Sequence, residues 1–330
     1  MSEQQPLVSV IIPNYNYERY LKLRIDSVLN QSFEDFEVIL LDDASTDGSA
    51  EVIKKYQSHP KVSEIIFNKE NSGSPFVQWM KGVKMARGKL IWIAEADDLS
   101  SPDFLVTCIA RLQEFPEAVA CMVGSCFIDS SGAKIERKCN YWDKKKSYTD
   151  VGYRCINGQF YASHKLYWSN CIQNTSATIF RRDAAMRLVH SPFLSMRSAG
   201  DWLFWFQMAM QGSIVETYEK LNYFRIHEKK VTEKAKKGGS GIKEDIAVIH
   251  YMEQHLSGLG RYKRSLCHGI LYHKFKHLSL DKSTRMEILA LMNECLGFTP
   301  KEHVILNINR YLRYIFPCLL TWERDRVREE

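Results

Sequence analysis

Residues 90–98 read LIWIAEADD, a short apolar run that stops at three acids within four residues. The same arrangement, an apolar run followed by polar side chains, recurs at three earlier segments: 8–12, 38–41 and 62–67. Continuous apolar runs of this length are typical of strands covered on both faces. The intervening residues carry hydrophobic side chains at helical spacing. Alternating strands and helices predict an α/β fold with a doubly wound, mostly parallel sheet.

Polar clusters follow each of the predicted strands, at residues 14–16, 42–43, 68–73 and 95–98. In parallel sheets the carboxyl ends of the strands meet at one edge, and ligands bind beyond that edge. We therefore expect the functional site there.

The chain divides by composition into residues 1–228 and a basic helical region, residues 229–330. The regular alternation of strands and helices ends near residue 130, which divides the first part again. The polar, poorly periodic residues 131–170 favour a long insertion or active-site loop. Residues 229–241 are rich in Lys, Gly and Ser and mark the boundary.

Glu95, Asp97 and Asp98 are the strongest local signal. Three carboxylates this close repel one another and need a cation or hydrogen-bond donors to stay ionised together. Hard oxygen ligands suit Mg²⁺ or Mn²⁺, which commonly bridge to substrate phosphates. The alternative is a helix start in which Asp98 acts as a cap.

Asp42 and Asp43 form a second acidic pair at a strand end. An acceptor at this place can take the N–H of a pyrimidine base and so select the nucleotide. The alternative is a capping motif for the helix that follows.

Five motifs occur in a fixed order at residues 8–16, 42–49, 71–73, 95–98 and 200–202. Over roughly residues 6–230 the chain thereby resembles the inverting glycosyltransferases of family 2, which have the GT-A fold. Glu95 departs from the family's Asp-x-Asp motif, because its first acid is one methylene longer.

The resemblance implies that residues 1–228 form a GT-A catalytic domain, with a nucleotide-sugar half at about 1–130 and an acceptor half at about 131–228. It also implies a role for each matching residue. Contacts to the nucleotide sugar are implied for Pro13, Asn14, Tyr15, Asp42, Asp43, Asn71, Gly73, Asp97, Arg225 and His227. Asp98, with Asp97 and Glu95 beside it, is implied to bind Mn²⁺ or Mg²⁺. Contacts to the donor sugar or the acceptor are implied for Asn174, Thr175, Ser176 and Trp202.

The resemblance also makes Asp201 the catalytic base. Inversion requires one carboxylate to deprotonate the acceptor hydroxyl, while the metal stabilises the departing diphosphate. The alternative for Asp201 is a cap for the helix that starts beside it.

The implied partners are a nucleotide-sugar donor, most simply a UDP sugar, and a saccharide or lipid-linked saccharide acceptor in surface-polysaccharide synthesis. No nucleic acid is expected. Two other functions remain open: a sugar nucleotidyltransferase, although residues 14–17 lack its glycine-rich phosphate loop, and a non-catalytic nucleotide-sugar-binding module.

No apolar run reaches the ~18 residues needed to span a bilayer, so a cytoplasmic protein is expected. The nine cysteines lack metal-binding spacing and are expected to be reduced. Residues 229–330 hold 19 Lys and Arg against 12 Asp and Glu.

An apolar stripe runs through the last predicted helix, at Val304, Ile305, Ile308, Leu312, Ile315, Phe316 and Leu319. With its basic and aromatic flanks it fits an anionic membrane surface, or packing inside the protein or in a homodimer.

Overall fold

A computed structural model describes residues 5–136, 152–227 and 239–315. Ten strands form one sheet in these residues. The strands are β1 Val8–Asn14, β2 Phe36–Asp42, β3 Val62–Phe67, β4 Leu90–Ile93, β5 Leu99–Ser100, β6 Ala118–Ile128, β7 Lys134–Ile135, β8 Tyr153–Ile156, β9 Thr178–Arg181 and β10 Ser213–Arg225.

Helices alternate with the first strands and continue alone after β10. They are α1 Glu18–Leu29, α2 Ser49–Lys54, α3 Pro75–Met85, α4 Phe104–Glu114, α5 Gly158–Tyr161, α6 Arg182–Met186, α7 Gly200–Ala209, α8 Ser240–His255, α9 Arg261–Lys276, α10 Lys282–Leu296 and α11 Pro300–Ile315. A π-helical turn, Ala162–Leu166, and two 3₁₀ turns, Thr175–Ala177 and Pro192–Ser195, complete the described elements.

The main path of the sheet runs β3-β2-β1-β4-β9-β6-β10-β5. The pairs among β3, β2, β1 and β4 are parallel, as is the pair of β6 with β10. β9 lies antiparallel between β4 and β6. The prediction of a doubly wound, mostly parallel sheet followed by a helical C-terminal region is confirmed.

The register of the first strands brings their polar ends to one edge. Asn14 at the end of β1 lies opposite Asp42 at the end of β2, and Asp42 lies opposite Phe67 of β3. The Ala94 N–H donates to the Ile11 carbonyl, which fixes where β4 leaves the sheet. The predicted alignment of polar clusters is therefore present.

β1 runs two residues beyond the five expected, through Pro13. Proline lacks the N–H that a central strand needs. The pairing of β1 with β4 ends at Ile11 and Ile93, and Pro13 lies beyond it. The strand therefore continues along β2 alone, where Pro13 is aligned with Leu41.

The core lies between the sheet and helices α1 and α4. Leu21, Ile25 and Val28 of α1 belong to the same buried cluster as Val10 and Trp92. On α3, a side chain at Gly82 would come within 2.5 Å of Ile11, so glycine permits the close packing of α3 on β1. Every described cysteine is a free thiol.

Part of the segment predicted as a loop, the described residues 152–170, contains regular elements. β8 pairs antiparallel with β10, and α5 with the π-helical turn follows it. A strand of four residues, such as β8, is too short for its alternation of apolar and polar side chains to be recognised in the sequence.

The chain forms two compact units. One comprises Met1–Gly158, Ile172–Ser195 and Gln207–Glu228; the other comprises Gln159–Cys171, Met196–Phe206 and Lys229–Glu330. Two segments assigned by sequence to the domain of residues 1–228 thus group with the C-terminal helices. Asp201 and Trp202 lie in one of them.

The last described helix leaves part of its apolar stripe exposed. Val304 and Ile308 are each more than half exposed, whereas Leu306 is buried. Ile315 has no described side chain, and Phe316 and Leu319 lie outside the described residues. No helix among the described residues is long and apolar enough to cross a membrane.

Ala44, directly after Asp42 and Asp43, has a φ of 58°. This left-handed conformation is unfavourable for a side chain with a Cβ and natural for glycine. We predict that Ala44→Gly raises the free energy of unfolding by about 0.5–1 kcal/mol, measured by urea denaturation.

The matched control is Ala50→Gly within α2, which should lower the free energy of unfolding by about 1 kcal/mol because helix interiors disfavour glycine. An equal decrease in the free energy of unfolding for both variants would contradict backbone strain at Ala44.

Candidate active site

The acidic cluster at residues 95–98 is held by the end of β10. β5 pairs antiparallel with β10, with Leu99 opposite Tyr223, which brings Arg225 beside Asp98. The Arg225 N–H donates to Asp98 Oδ1 at 2.9 Å, and Asn174 Nδ2 donates to Asp98 Oδ2 at 2.8 Å. Each oxygen keeps a lone pair, so Asp98 is fixed in place without being saturated.

Asp97 faces His227, whose Nε2 lies 2.9 Å from Asp97 Oδ2. Tyr17 and Tyr20 of the α1 region flank the imidazole, with ring centroids 5.8 and 5.6 Å away. Burial and the charge of Asp97 raise the pKa of Tyr17, so this phenol stays neutral. Two predicted site residues, Asp97 and His227, are therefore in direct contact.

Two carboxylates of the cluster, Asp98 and Glu95, have raised pKa values. Burial and the charge of Asp97 raise the pKa of Asp98 to about 6. The same two causes raise the pKa of Glu95 to about 8, and its Oε1 accepts the Trp79 indole N–H at 2.8 Å. Glu95 is therefore held against Trp79, and its role as a metal ligand stays a prediction.

Arg225 is buried, and its predicted contact with the nucleotide sugar is not among its bonds to the protein. Its Nε donates to the Asp97 carbonyl at 2.7 Å and its Nη1 to the Asp129 carbonyl at 2.8 Å. The guanidinium carbon lies 4.5 Å from the centre of the Tyr20 ring. Arg225 therefore braces the backbone of the acidic cluster.

A second buried arginine, Arg24 on α1, was not predicted. It is fully buried, and none of its three guanidinium nitrogens has a partner among the described residues. The group stacks on Trp92 at 4.9 Å. Burial lowers its pKa to about 10, against the opposing effect of Asp98, Asp97 and Glu95. Its positive charge offsets the acidic cluster.

Asp42 and Asn14 are joined at the ends of β1 and β2. Asn14 Nδ2 donates to Asp42 Oδ1 at 2.8 Å, and the Ser45 hydroxyl donates to the same oxygen at 2.6 Å. The Ser45 N–H donates to Asp42 Oδ2. Both predicted residues are buried and fix the turn that follows β2.

Asp43 organises the loop between β3 and α3. Its carboxylate accepts from the side chains of Asn68, Asn71 and Gln78, and from both the N–H and the hydroxyl of Ser72. A base N–H that binds Asp43 therefore has to replace one of these donors, since a carboxylate offers about four acceptor positions.

The remaining predicted contacts differ in exposure. Tyr15 is 45% exposed, and Gly73 forms the turn with a φ of 72°. Pro13 and Thr175 are buried. Ser176 is fully buried, its carbonyl accepts from Trp92 Nε1 and its hydroxyl accepts from the Glu95 N–H. Ser176 therefore supports the acidic cluster, and its contact with a sugar stays a prediction.

Asp201 lies in the first turn of α7, within the second unit. Its Oδ1 accepts the Trp202 N–H and its Oδ2 accepts Asn170 Nδ2, both at 2.8 Å. Burial raises the pKa of Asp201 to about 6 against these two hydrogen bonds. A general base works best with a pKa near the working pH, and the pKa of this carboxylate meets that condition.

The indole N–H of Trp202 has a partner within the protein. The side chain is buried, and its Nε1 donates to the Leu166 carbonyl at 2.7 Å. This bond joins α7 to the π-helical turn, and the contact of Trp202 with a sugar stays a prediction.

Six supporting residues were given no role from the sequence, namely Arg24, Ser45, Asn68, Gln78, Trp79 and Asn170. Ser45 and Asn68 lie within the polar segments 42–49 and 68–73 that the sequence singles out, and Arg24 carries a signal of its own. Arg24 falls at helical spacing between Leu21 and Val28, so a charge lies on the apolar face of α1. The others meet their carboxylates only through tertiary contacts.

No group of three or more His, Cys, Asp and Glu side chains is placed to hold a metal within the described ranges. Any cation at Asp97 and Asp98 therefore needs further ligands from the substrate.

Comparisons with known proteins agree with this architecture. The chain matches the glycosyl transferase family 2 model over residues 9–189. An uncharacterized glycosyltransferase of Nostoc sp. is 27% identical over 304 residues, 88% of either chain. The putative teichuronic acid biosynthesis glycosyltransferase TuaG of Bacillus subtilis is 34% identical over 105 residues, 32% of this chain and 41% of that protein.

The fold is also that of a solved glycosyltransferase. The crystal structure of S. aureus TarS residues 1–349 in complex with UDP-GlcNAc superposes with a TM-score of 0.66 and 17% identity, covering 94% of this chain and 86% of that one. Such a likeness shows the GT-A fold. With a family match over more than half of its length, the chain belongs to glycosyltransferase family 2.

Proposed function

We propose that this glycosyltransferase moves a sugar, with inversion, from a UDP-sugar donor to a hydroxyl of a saccharide acceptor. The observation that carries the proposal is the pair Asp97 and Asp98, which is fixed at the carboxyl edge of the sheet beside Asp42 and Asp43. This edge is where α/β sheets bind nucleotides. The UDP-GlcNAc bound to TarS supports the donor, and the name of TuaG supports a role in surface-polysaccharide synthesis.

The nucleoside belongs at the ends of β1 to β3. Asp43, with Asp42 as the alternate, accepts the uracil N–H in place of one of its present donors. Tyr15, the exposed aromatic residue of the loop after β1, offers a ring for the base. Asn71 and Gly73 shape the turn that faces it, because the Gly73 N–H donates to Asn71 Oδ1.

The acidic cluster suits a divalent cation. Burial and mutual repulsion raise the pKa of Asp98, and a cation beside it would remove that penalty. Asp98 and Asp97 supply hard oxygen atoms, and donor phosphates complete the ligand set, as is usual for Mg²⁺ and Mn²⁺. When bound, the ion neutralises charge on the departing diphosphate. Asn174 and the Arg225 N–H orient Asp98, and His227 orients Asp97.

A calorimetric titration tests the donor and the metal together. We predict that UDP binds with at least tenfold higher affinity in the presence of Mn²⁺, and that Asp98→Asn abolishes this difference. The reason is that an amide keeps the shape of the side chain but lacks its charge. GDP, titrated in parallel, should bind more weakly than UDP.

Asp103→Asn, at an exposed position five residues away, is the matched control and should behave as the wild type. An Asp98→Asn protein that retains the full effect of Mn²⁺ would remove Asp98 from the ligand set. Tighter binding of GDP than UDP would overturn the uridine donor.

Asp201 acts as the general base for the acceptor hydroxyl in this proposal. Its carboxylate has a pKa of about 6, so it is mostly ionised at pH 7 and can still accept a proton. Asn170 holds Oδ2 and the Trp202 N–H holds Oδ1, which leaves one lone pair on each oxygen for the acceptor. No covalent nucleophile is needed, because inversion takes place in one displacement.

We predict that Asp201→Asn lowers kcat for transfer about 10²-fold or more while UDP affinity stays unchanged. In the wild type, transfer should fall as the pH drops through about 6, since the base becomes protonated. Asn170→Ala removes a hydrogen bond that lowers the pKa of Asp201, so this acidic limb should move to higher pH.

Asp183→Asn, an exposed acid of α6, is the control and should leave the pH profile in place. Wild-type turnover by a folded Asp201→Asn protein would exclude the base role.

The exposed face of α11 supports attachment to an anionic membrane surface. Val304, Ile308 and Tyr311 are exposed on this helix, and residues 229–330 carry an excess of positive charge. Each Lys or Arg near such a surface contributes ~1 kcal/mol. A homodimer contact through the same helices is the alternative.

We predict that the protein floats with phosphatidylserine vesicles at low salt, and that Val304→Ser with Ile308→Ser reduces the bound fraction several-fold. Val106→Ser, at an exposed apolar position of α4, should have no effect. Absence of wild-type binding, with a dimer in sedimentation that the double substitution dissociates, would favour the homodimer.

A further inference from the structure

Helix α8, the first described helix after β10, carries a carboxylate that is bound to the start of another helix. Glu244 Oε1 accepts the Arg197 N–H at 2.8 Å. Glu244 Oε2 accepts the N–H groups of Ser198 and Ala199 and the Ser198 hydroxyl, each at 2.8 Å. Four hydrogen bonds thus join one side chain to three consecutive residues.

These three residues lead directly into α7, which begins at Gly200. The positive end of the helix dipole lies next to these residues and favours an anion there. Consecutive N–H groups that point at one site form an anion-binding concavity. Glu244 fills this concavity with a charge from a different part of the chain.

The position of Asp201 depends on this turn. Asp201 is the second residue of α7 and follows Ala199 by two positions, so the bonds to Glu244 fix the backbone from which the carboxylate projects.

The same helix also anchors the segment that holds the other side of Asp201. Glu253 of α8 accepts from the Tyr167 hydroxyl at 2.5 Å and lies 2.8 Å from His268 Nε2. Tyr167 precedes Asn170 by three residues, and Asn170 donates to Asp201. Both protein elements that orient the carboxylate of Asp201 are therefore tied to α8.

We propose that Glu244 is a positioning residue for Asp201, so that helix α8 is part of the catalytic apparatus. The inference rests on the proposed role of Asp201 as the base. It assigns to the start of the C-terminal region a function that is separate from any membrane contact by α11.

Substituting Glu244→Gln tests the proposal. The amide keeps the size of the side chain but loses the charge and one acceptor oxygen, which leaves N–H groups of residues 197–199 unpaired. Because small misplacements of a catalytic group cost up to about 10²-fold, kcat for transfer should fall about tenfold. KM for the donor and the affinity for UDP should stay within about twofold of the wild type.

Glu287→Gln is the matched control, since Glu287 pairs with Lys243, the neighbour of Glu244, at an exposed site. It should leave kcat unchanged. Glu244 should act only through Asp201, so adding Glu244→Gln to Asp201→Asn should cause little further loss. Additive losses would overturn the positioning role.

The outcomes separate this inference from the proposed function. If Asp201→Asn loses transfer and a folded Glu244→Gln protein keeps wild-type kcat, the positioning role is overturned and the base role stands. If Asp201→Asn keeps wild-type transfer, both fall. Should Glu244→Gln fail to fold, Glu244→Asp retains the charge on a shorter side chain, and wild-type kcat in that variant would overturn the inference.

Discussion

Mutual repulsion among Glu95, Asp97 and Asp98 is the constraint on which the site depends. Carboxylates this close remain ionised only with nearby donors or positive charge. The structure meets this need in three ways: Asn174 and the Arg225 N–H bind Asp98, His227 contacts Asp97, and Glu95 is neutral against Trp79. The unpaired guanidinium of Arg24 adds a positive charge from within the core. The negative charge of Asp97 and Asp98 that these groups do not offset suits a cation bound together with a diphosphate.

Asp42 and Asp43, where the nucleoside is proposed to bind, differ from the acidic cluster at residues 95–98. Their oxygens are saturated by neutral hydrogen-bond donors. Asp42 and Asp43 accept from serine, asparagine and glutamine side chains and from backbone N–H groups. These bonds hold the left-handed turn at Ala44 and the loop before α3 in fixed positions. A ligand that binds here therefore exchanges one hydrogen bond for another and finds the loops already shaped, which limits the entropy lost on binding.

In the second unit, the position of the proposed base Asp201 depends on the backbone and side chains around it. Asp201 takes its place from the turn bound by Glu244 and from Asn170, whose segment is anchored by Glu253. The C-terminal region, residues 229–330, which the sequence analysis separated from the rest of the chain, thus shares a compact unit with the proposed base. Membership of family 2 favours sugar transfer over the nucleotidyltransferase alternative, and the intact surroundings of Asp201 support a catalytic role over a binding module.

The sequence by itself determined the parallel strands, the polar edge and the acids at Asp42, Asp43, Asp97, Asp98 and Asp201, because apolar runs and strand-end acids are local patterns. It did not determine which groups these side chains meet. Glu95, Arg225, Ser176 and Trp202 are bound to groups distant in sequence, and only the tertiary structure decides those partners. The tertiary structure likewise decided that residues 196–206 group with the C-terminal helices, since four hydrogen bonds to Glu244 span more than forty positions of the chain. Long-range hydrogen bonds of this kind leave no periodic trace in a sequence.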